Sequence, residues 1–183
     1  MRNRIISTLG VVALAFLLSA YHPASYAMAP APSTTLPATC NADAYVVDKD
    51  PSGLNVRESP GVGGKIIGVI PDDTDGTVVH LVSSDSKGWV QIDRAETIEG
   101  RVVFDKRGWV SGTMLGISTR GYGTRGVKVY AAAGARKALG TIPPEAEVKV
   151  AGCAGDRMQV KYGKLTGWLD PDSQCPNPVT NCN

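Results

Sequence analysis

Gly53-Leu54-Asn55-Val56-Arg57-Glu58-Ser59-Pro60, followed by Lys65-Ile66-Ile67-Gly68-Val69-Ile70-Pro71, is the stretch that decides the fold. Its short apolar alternations are bounded by Gly, Ser and Pro, the pattern of half-buried strands joined by turns. The same order returns later as Val127-Lys128-Val129-Tyr130 and then Lys137-Ala138-Leu139-Gly140-Thr141-Ile142-Pro143. The spacing is 17 residues from Leu54 to Pro71 and 16 from Val127 to Pro143. Farther out, Thr77–Val82 is echoed by Ala146–Val150. Trp89-Val90-Gln91-Ile92 is echoed by Met158-Gln159-Val160-Lys161, and Gly108-Trp109-Val110 by Gly167-Trp168-Leu169. Such self-similarity predicts two related units, one over 41–117 and one over 122–172.

The first unit is longer because 93–106 is inserted before its Gly-Trp. Val102-Val103-Phe104 within this insertion suggests an extended hairpin arm. Its interleaved charges (Asp93, Arg94, Glu96, Glu99, Arg101, Asp105, Lys106) suggest salt bridging, not an acid/base pair. No stretch sustains a 3.6-residue period, so the expected class is all-β. The apolar sets Leu54, Val56, Ile67, Val69, Val79, Leu81, Val90, Ile92, Val110 and Val127, Val129, Leu139, Ile142, Val148, Val150, Val160, Leu169 are each enough for one small barrel. Units of this size bury little core, so clamping by disulfides is expected to matter.

The N-terminus reads as a targeting segment. Arg2 and Arg4 precede an apolar run from Ile5 to Ala20, and Ser25-Tyr26-Ala27 places small residues before a cut after Ala27. That run of about 16 residues is shorter than the roughly 20 needed to span a bilayer, so residues 1–27 are expected to be a cleaved signal peptide. Export, to the periplasm, and no membrane insertion after cleavage follow from that reading. Residues 28–40 then form a Pro/Thr-rich linker without charge.

Cleavage leaves 156 residues with 17 basic and 17 acidic side chains. This balance gives no support to nucleic-acid binding. The four cysteines all remain, in a compartment where pairing is expected. Four cysteines allow three complete pairings. Cys175–Cys182 could close a small Pro-bent loop, which leaves Cys40 for Cys153. The pairing favoured is Cys153–Cys175, pinning the tail (173–183) to its own unit, with Cys40–Cys182 returning the C-terminus to the first.

Catalytic groups are scarce. His80 is the one histidine after cleavage, and its place in a strand suggests a satisfied structural residue. No catalytic residue, metal site or cofactor is expected. Asp72-Asp73-Thr74-Asp75-Gly76 resembles a calcium loop only superficially. With Gly76 at the sixth position, Pro71 and Val82 stand where carboxylates are needed.

Gly53–Pro60, Lys65–Pro71, Gly88-Trp89-Val90 and Gly108-Trp109-Val110 together resemble the bacterial SH3-like domain family. The resemblance continues in the second unit, where Tyr130 replaces the motif Arg and Met158 the Trp. It implies two tandem, small, strongly bent β-barrels, and a binding role toward peptide or peptidoglycan. Aromatic residues are then the candidate ligand contacts: Tyr45, Trp89, Trp109, Tyr130 and Trp168. Trp89, beside a hairpin turn, serves a groove or the core about equally, while Trp109 and Trp168, each after a Gly, lean to the core. The alternative is a disulfide-clamped structural adaptor, or an enzyme inhibitor, binding another envelope protein. Charge also separates the units. Residues 40–117 carry 8 basic and 12 acidic side chains, and residues 118–183 carry 9 and 5.

Overall fold

The computed structural model describes residues 37–180 and Cys182. The expected signal peptide (1–27) and linker residues 28–36 lie outside the described residues. The strands are β1 (Ala38–Val46), β2 (Leu54–Arg57), β3 (Ile66–Ile70), β4 (Thr77–Ser84), β5 (Trp89–Thr97), β6 (Val102–Phe104) and β7 (Gly108–Ser111). They continue with β8 (Leu115–Thr119), β9 (Val127–Tyr130), β10 (Ala138–Ile142), β11 (Glu147–Ala154), β12 (Arg157–Tyr162), β13 (Leu165–Leu169) and β14 (Gln174–Cys175). Among the described residues there is no α-helix, only 3₁₀ turns at Gly112–Met114 and Pro171–Ser173. The fold is all-β. Residues 38–40, read as linker, belong to β1, because Ala38 and Thr39 pair with Ser84 and Ser83.

One pairing scheme occurs twice. In the first half the spatial order is β4-β5-β7-β2-β3, and in the second it is β11-β12-β13-β9-β10. Arg57 opposes Trp109 as Tyr130 opposes Trp168. Both β2–β3 and β9–β10 carry a bulge at the equivalent place, at Ile67 and Leu139. The β4–β5 and β11–β12 hairpins share another, at Val82 and Ala151. Glycines recur with the same physical cause. A Cβ on Gly53 (φ 83°) would come within 2.4 Å of the Ile70 carbonyl oxygen, and one on Gly126 (φ 140°) within 2.8 Å of that of Ile142. Gly108 and Gly167 admit close packing of Val56 and Val129, whose Cγ1 atoms would lie 2.3 and 2.6 Å from an added Cβ.

This register corrects the alignment read from sequence. Gln91 faces Trp109, and Gln159 faces Trp168. Val90 therefore corresponds to Met158, and Trp89 to Arg157. Met158 does not replace the tryptophan. It fills a core position and is fully buried, while Arg157 ion-pairs with Asp170. Sequence matching slipped by one residue because apolar alternation has the same look in either frame, whereas register depends on cross-strand partners.

Between the halves, β1 and β8 act as a seam. β1 pairs with β4 and β8, and β8 pairs with β11 and β14. A single buried cluster runs through both halves, from Leu54, Val56 and Ile92 through Leu115 and Ile117 to Val148 and Val160. Two expected core residues are corrected. Val69 is 43% exposed and Leu139 51% exposed, because β3 and β10 are the ends of the sheet path and present one side to water. Ile70 and the expected Ile142 are the fully buried side chains of these strands. The insertion does form a hairpin, β5–β6. It folds onto the body, burying Ala95, Thr97 and Phe104, with Phe104 against Gly68.

The favoured disulfide pairing is also corrected. The bonds are Cys40–Cys153 and Cys175–Cys182. The reason is the path of β1. The Asn41 amide donates to the Gly155 carbonyl at 2.7 Å and the Gly155 amide to the Thr39 carbonyl at 2.8 Å, which brings Cys40 beside the end of β11. Cys175 is held elsewhere, opposite Ser118 on β8. The Cys175–Cys182 loop lies on the first half, with Pro178 against Gly76.

Candidate functional site

Asp85 shapes the turn that presents Trp89. Its Oδ1 accepts hydrogen bonds from the amides of Lys87 and Trp89, both at 2.8 Å, and its own amide donates to the Trp89 carbonyl at 2.9 Å. An Asp side chain closing a turn on amides just after it is a local, sequence-encoded device. Trp89 is thereby fixed at the first position of β5, half-buried, on the border of a groove of about 260 Å³.

Leu54, Asn55, Arg57, Val62 and Met114 complete the groove with Ser111, and Asp48 and Asp50 stand on its rim. The Arg57 guanidinium donates to the Gly64 carbonyl at 2.7 Å and so ties down the Gly-rich loop carrying Val62. Val62 is 84% exposed and Met114 39% exposed. Apolar side chains left in water beside an aromatic face and a charged rim make a surface suited to an extended peptide. The Ser52 hydroxyl, and then its amide, donate to Asp50 and hold that carboxyl below the usual carboxylate range. Asp50 is therefore ionised at neutral pH.

The structure separates the sequence-predicted aromatics. Trp89 borders the groove. Trp109 is 9% exposed and opposes Arg57 in the sheet. Tyr45 is buried, with its hydroxyl 3.0 Å from Ser118 Oγ. Burial pushes its phenol above the ordinary range, the Ser118 bond lowers it and Glu147 raises it. Tyr130 and Trp168 are partners in the second half, and Trp168 borders a separate hollow of about 170 Å³ near Ser84 and Cys153. Sequence reasoning missed Val62, Met114 and the aspartate rim as site residues. Arg57 carried a signal, as part of the quoted motif. Met114 carried none, since a 3₁₀ turn leaves no periodic trace.

His80 Nδ1 lies 2.8 Å from Asp93 Oδ1 and Nε2 lies 3.2 Å from Asn41 Oδ1, so both ring nitrogens are engaged. In the Asp72–Gly76 turn, Asp73 accepts the Asp75 amide at 3.1 Å and pairs with Arg101 at 3.3 Å. Its oxygens are thus committed to the turn and to the β5–β6 hairpin. Among the described residues no three His, Cys, Asp or Glu are grouped to hold a metal ion. The second half lacks the aromatic at the position equivalent to Trp89, where Arg157 stands.

Residues 52–116 match the family model of the bacterial SH3 domain. The matched segment runs from the turn before β2 into β8 and contains the groove residues from Leu54 to Met114, with Asp48 and Asp50 just outside it. No curated protein matches the sequence.

Proposed function

We propose that this chain, whose residues 52–116 form a bacterial SH3 domain, is a non-enzymatic binding protein of the bacterial envelope. Its ligand is an extended peptide, including the peptide part of peptidoglycan, held in the groove beside Trp89. The observation carrying this reading is the groove itself, in which an aromatic face and unpartnered Val62 and Met114 lie under an anionic rim. The second half is read as a diverged copy of the first, supported by the shared strand order, bulges and glycines. Two disulfides with no free cysteine among the described residues fit an extracytoplasmic protein. Export by a signal peptide cleaved after Ala27 is part of the proposal.

Retention on purified cell-wall sacculi tests it. Wild-type protein is expected to be retained saturably, and Trp89→Ala to lose at least about ten-fold in affinity, the scale of one hot-spot aromatic. Circular dichroism of the variant should match wild type. Retention equal to that of an unrelated protein would move the reading to an adaptor for an envelope protein. Release of soluble muropeptides by the purified protein would overturn its non-enzymatic part.

A further inference from the structure

Ser111 borders the Trp89 groove and also a second cleft, of about 560 Å³, between the two halves of the molecule. That volume is in the range of ligand sites, and junctions between structural units are where such sites concentrate. Lys87, from the turn before Trp89, lines this cleft together with Lys149 of β11 and Lys161 of β12. No carboxylate lines it, while Thr113 and Gln159 add hydrogen-bonding groups. Lys149 is 3.0 Å from Glu147. Lys87 and Lys161 are exposed and have no ion-pair partner among the described residues.

Groove and cleft therefore adjoin and differ in charge. Asp48, Asp50 and Trp89 line the groove, three lysines line the cleft, and Ser111 lines both. We propose that the two are one binding channel, which reads a short extended peptide by its free carboxylate. The backbone lies on Trp89 and the carboxylate meets Lys87 and Lys161, the two lysines of the cleft without an ion-pair partner among the described residues. The anionic rim receives the opposite, amino-terminal or basic, part of the same ligand. This inference rests on the peptide reading of the Trp89 groove and adds the ligand's chemistry and polarity. Charge complementarity of this kind sets orientation and partner choice, and it weakens as salt rises.

Amide-resolved NMR titration of the folded, disulfide-bonded protein tests the channel. The probes are N-acetyl-trialanine with a free carboxylate, the same peptide as its carboxamide, and inorganic phosphate. The acid is expected to shift the Trp89 indole N–H together with the amides of Gly88 and Ala151. The carboxamide should shift Trp89 and bind about ten-fold more weakly, the loss of one charge-assisted contact. In the Lys87→Gln/Lys161→Gln variant, acid and carboxamide should bind alike while the Trp89 shift persists. Equal binding of acid and carboxamide to wild type, or a preference retained in the variant, would overturn the carboxylate site. Phosphate acting on Gly88 and Ala151 as strongly as the acid would mark a general anion surface and overturn the peptide assignment. Shifts at Gly88 and Ala151 without Trp89 would refute the groove reading and the single channel together. Shifts at Trp89 alone would refute only the cleft, and no shift with either peptide would refute both.

Discussion

Tyr45 shows how one side chain couples packing to pH. Its ring is buried, and its hydroxyl bonds with Ser118 across the β1–β8 seam. Burial, the largest cause, raises the phenol above its usual value near 10. A group whose folded value is raised stabilises the fold fully below its unfolded value and loses that contribution as pH climbs through the folded one. Tyr45→Phe should cost about 1 kcal/mol at pH 7, the net worth of one hydrogen bond. That gap should shrink above about pH 10, where only wild type must ionise a buried phenol. Urea titrations at both pH values check this, and a constant gap would rule out the ionisation. Trp89 and Met158 give a second contrast at this scale. Met158 is fully buried, so Met158→Ala should cost about 2–5 kcal/mol. Trp89→Ala should cost less than half of that, because its ring lies on a groove. Comparable losses would contradict the equivalence of Trp89 with Arg157, and of Val90 with Met158, in the two halves. The sequence made Trp89 visible as an aromatic beside a turn, but not its counterpart, since only cross-strand partners distinguish Arg157 from Met158.

At the level of elements, the strands of the quoted motif were legible because alternation and turn residues are local signals. Ile66–Ile70 and Trp89–Ile92 are strands where the pattern put them, although β5 runs on to Thr97. β8 was missed. Leu115-Gly116-Ile117 is too short an apolar alternation to stand out, and its role comes from long-range pairing with β1, β11 and β14. The cysteine error has the same origin. The connection depended on where β1 passes, and no local pattern encodes that Cys40 meets β11. The two bonds found make a quantitative contrast. Cys40–Cys153 spans 113 residues of sequence and Cys175–Cys182 spans 7. In the chain-entropy model these loops restrict the unfolded state by about 5 and about 2.5 kcal/mol. Removing the first as Cys40→Ala/Cys153→Ala should therefore lower the urea-derived stability about twice as much as Cys175→Ala/Cys182→Ala. An equal or reversed order would show that the short loop, with Pro178 packed on Gly76, acts through native contacts and not through chain entropy.

For the whole molecule, the recurring order of short motifs is plain in sequence, but the seam between the two halves is not. The first half is net acidic and the second net basic, which favours their association without specifying it. Association is specified by β1 and β8, which lie side by side in the middle of one sheet, and by a core continuous through Leu115 and Ile117. Each half would expose one edge and part of that core if the other came away. Burying a residue such as Leu115 or Ile117 is worth roughly 1.5–3 kcal/mol, so partial unfolding at the seam is costly against the 5–15 kcal/mol typical of a whole domain. The two halves should therefore unfold as one cooperative unit despite their repeated architecture. The tryptophans supply separate reporters. Trp89 and Trp109 lie in the first half and Trp168 in the second. Fluorescence of Trp168→Phe follows the first half alone, and that of Trp89→Phe/Trp109→Phe follows the second. Each variant's fluorescence midpoint in urea should coincide with its own far-ultraviolet dichroism midpoint, which samples all strands. A fluorescence transition displaced from the dichroism in either variant would mean that the halves open independently, and that the cleft between them is a hinge instead of a fixed site.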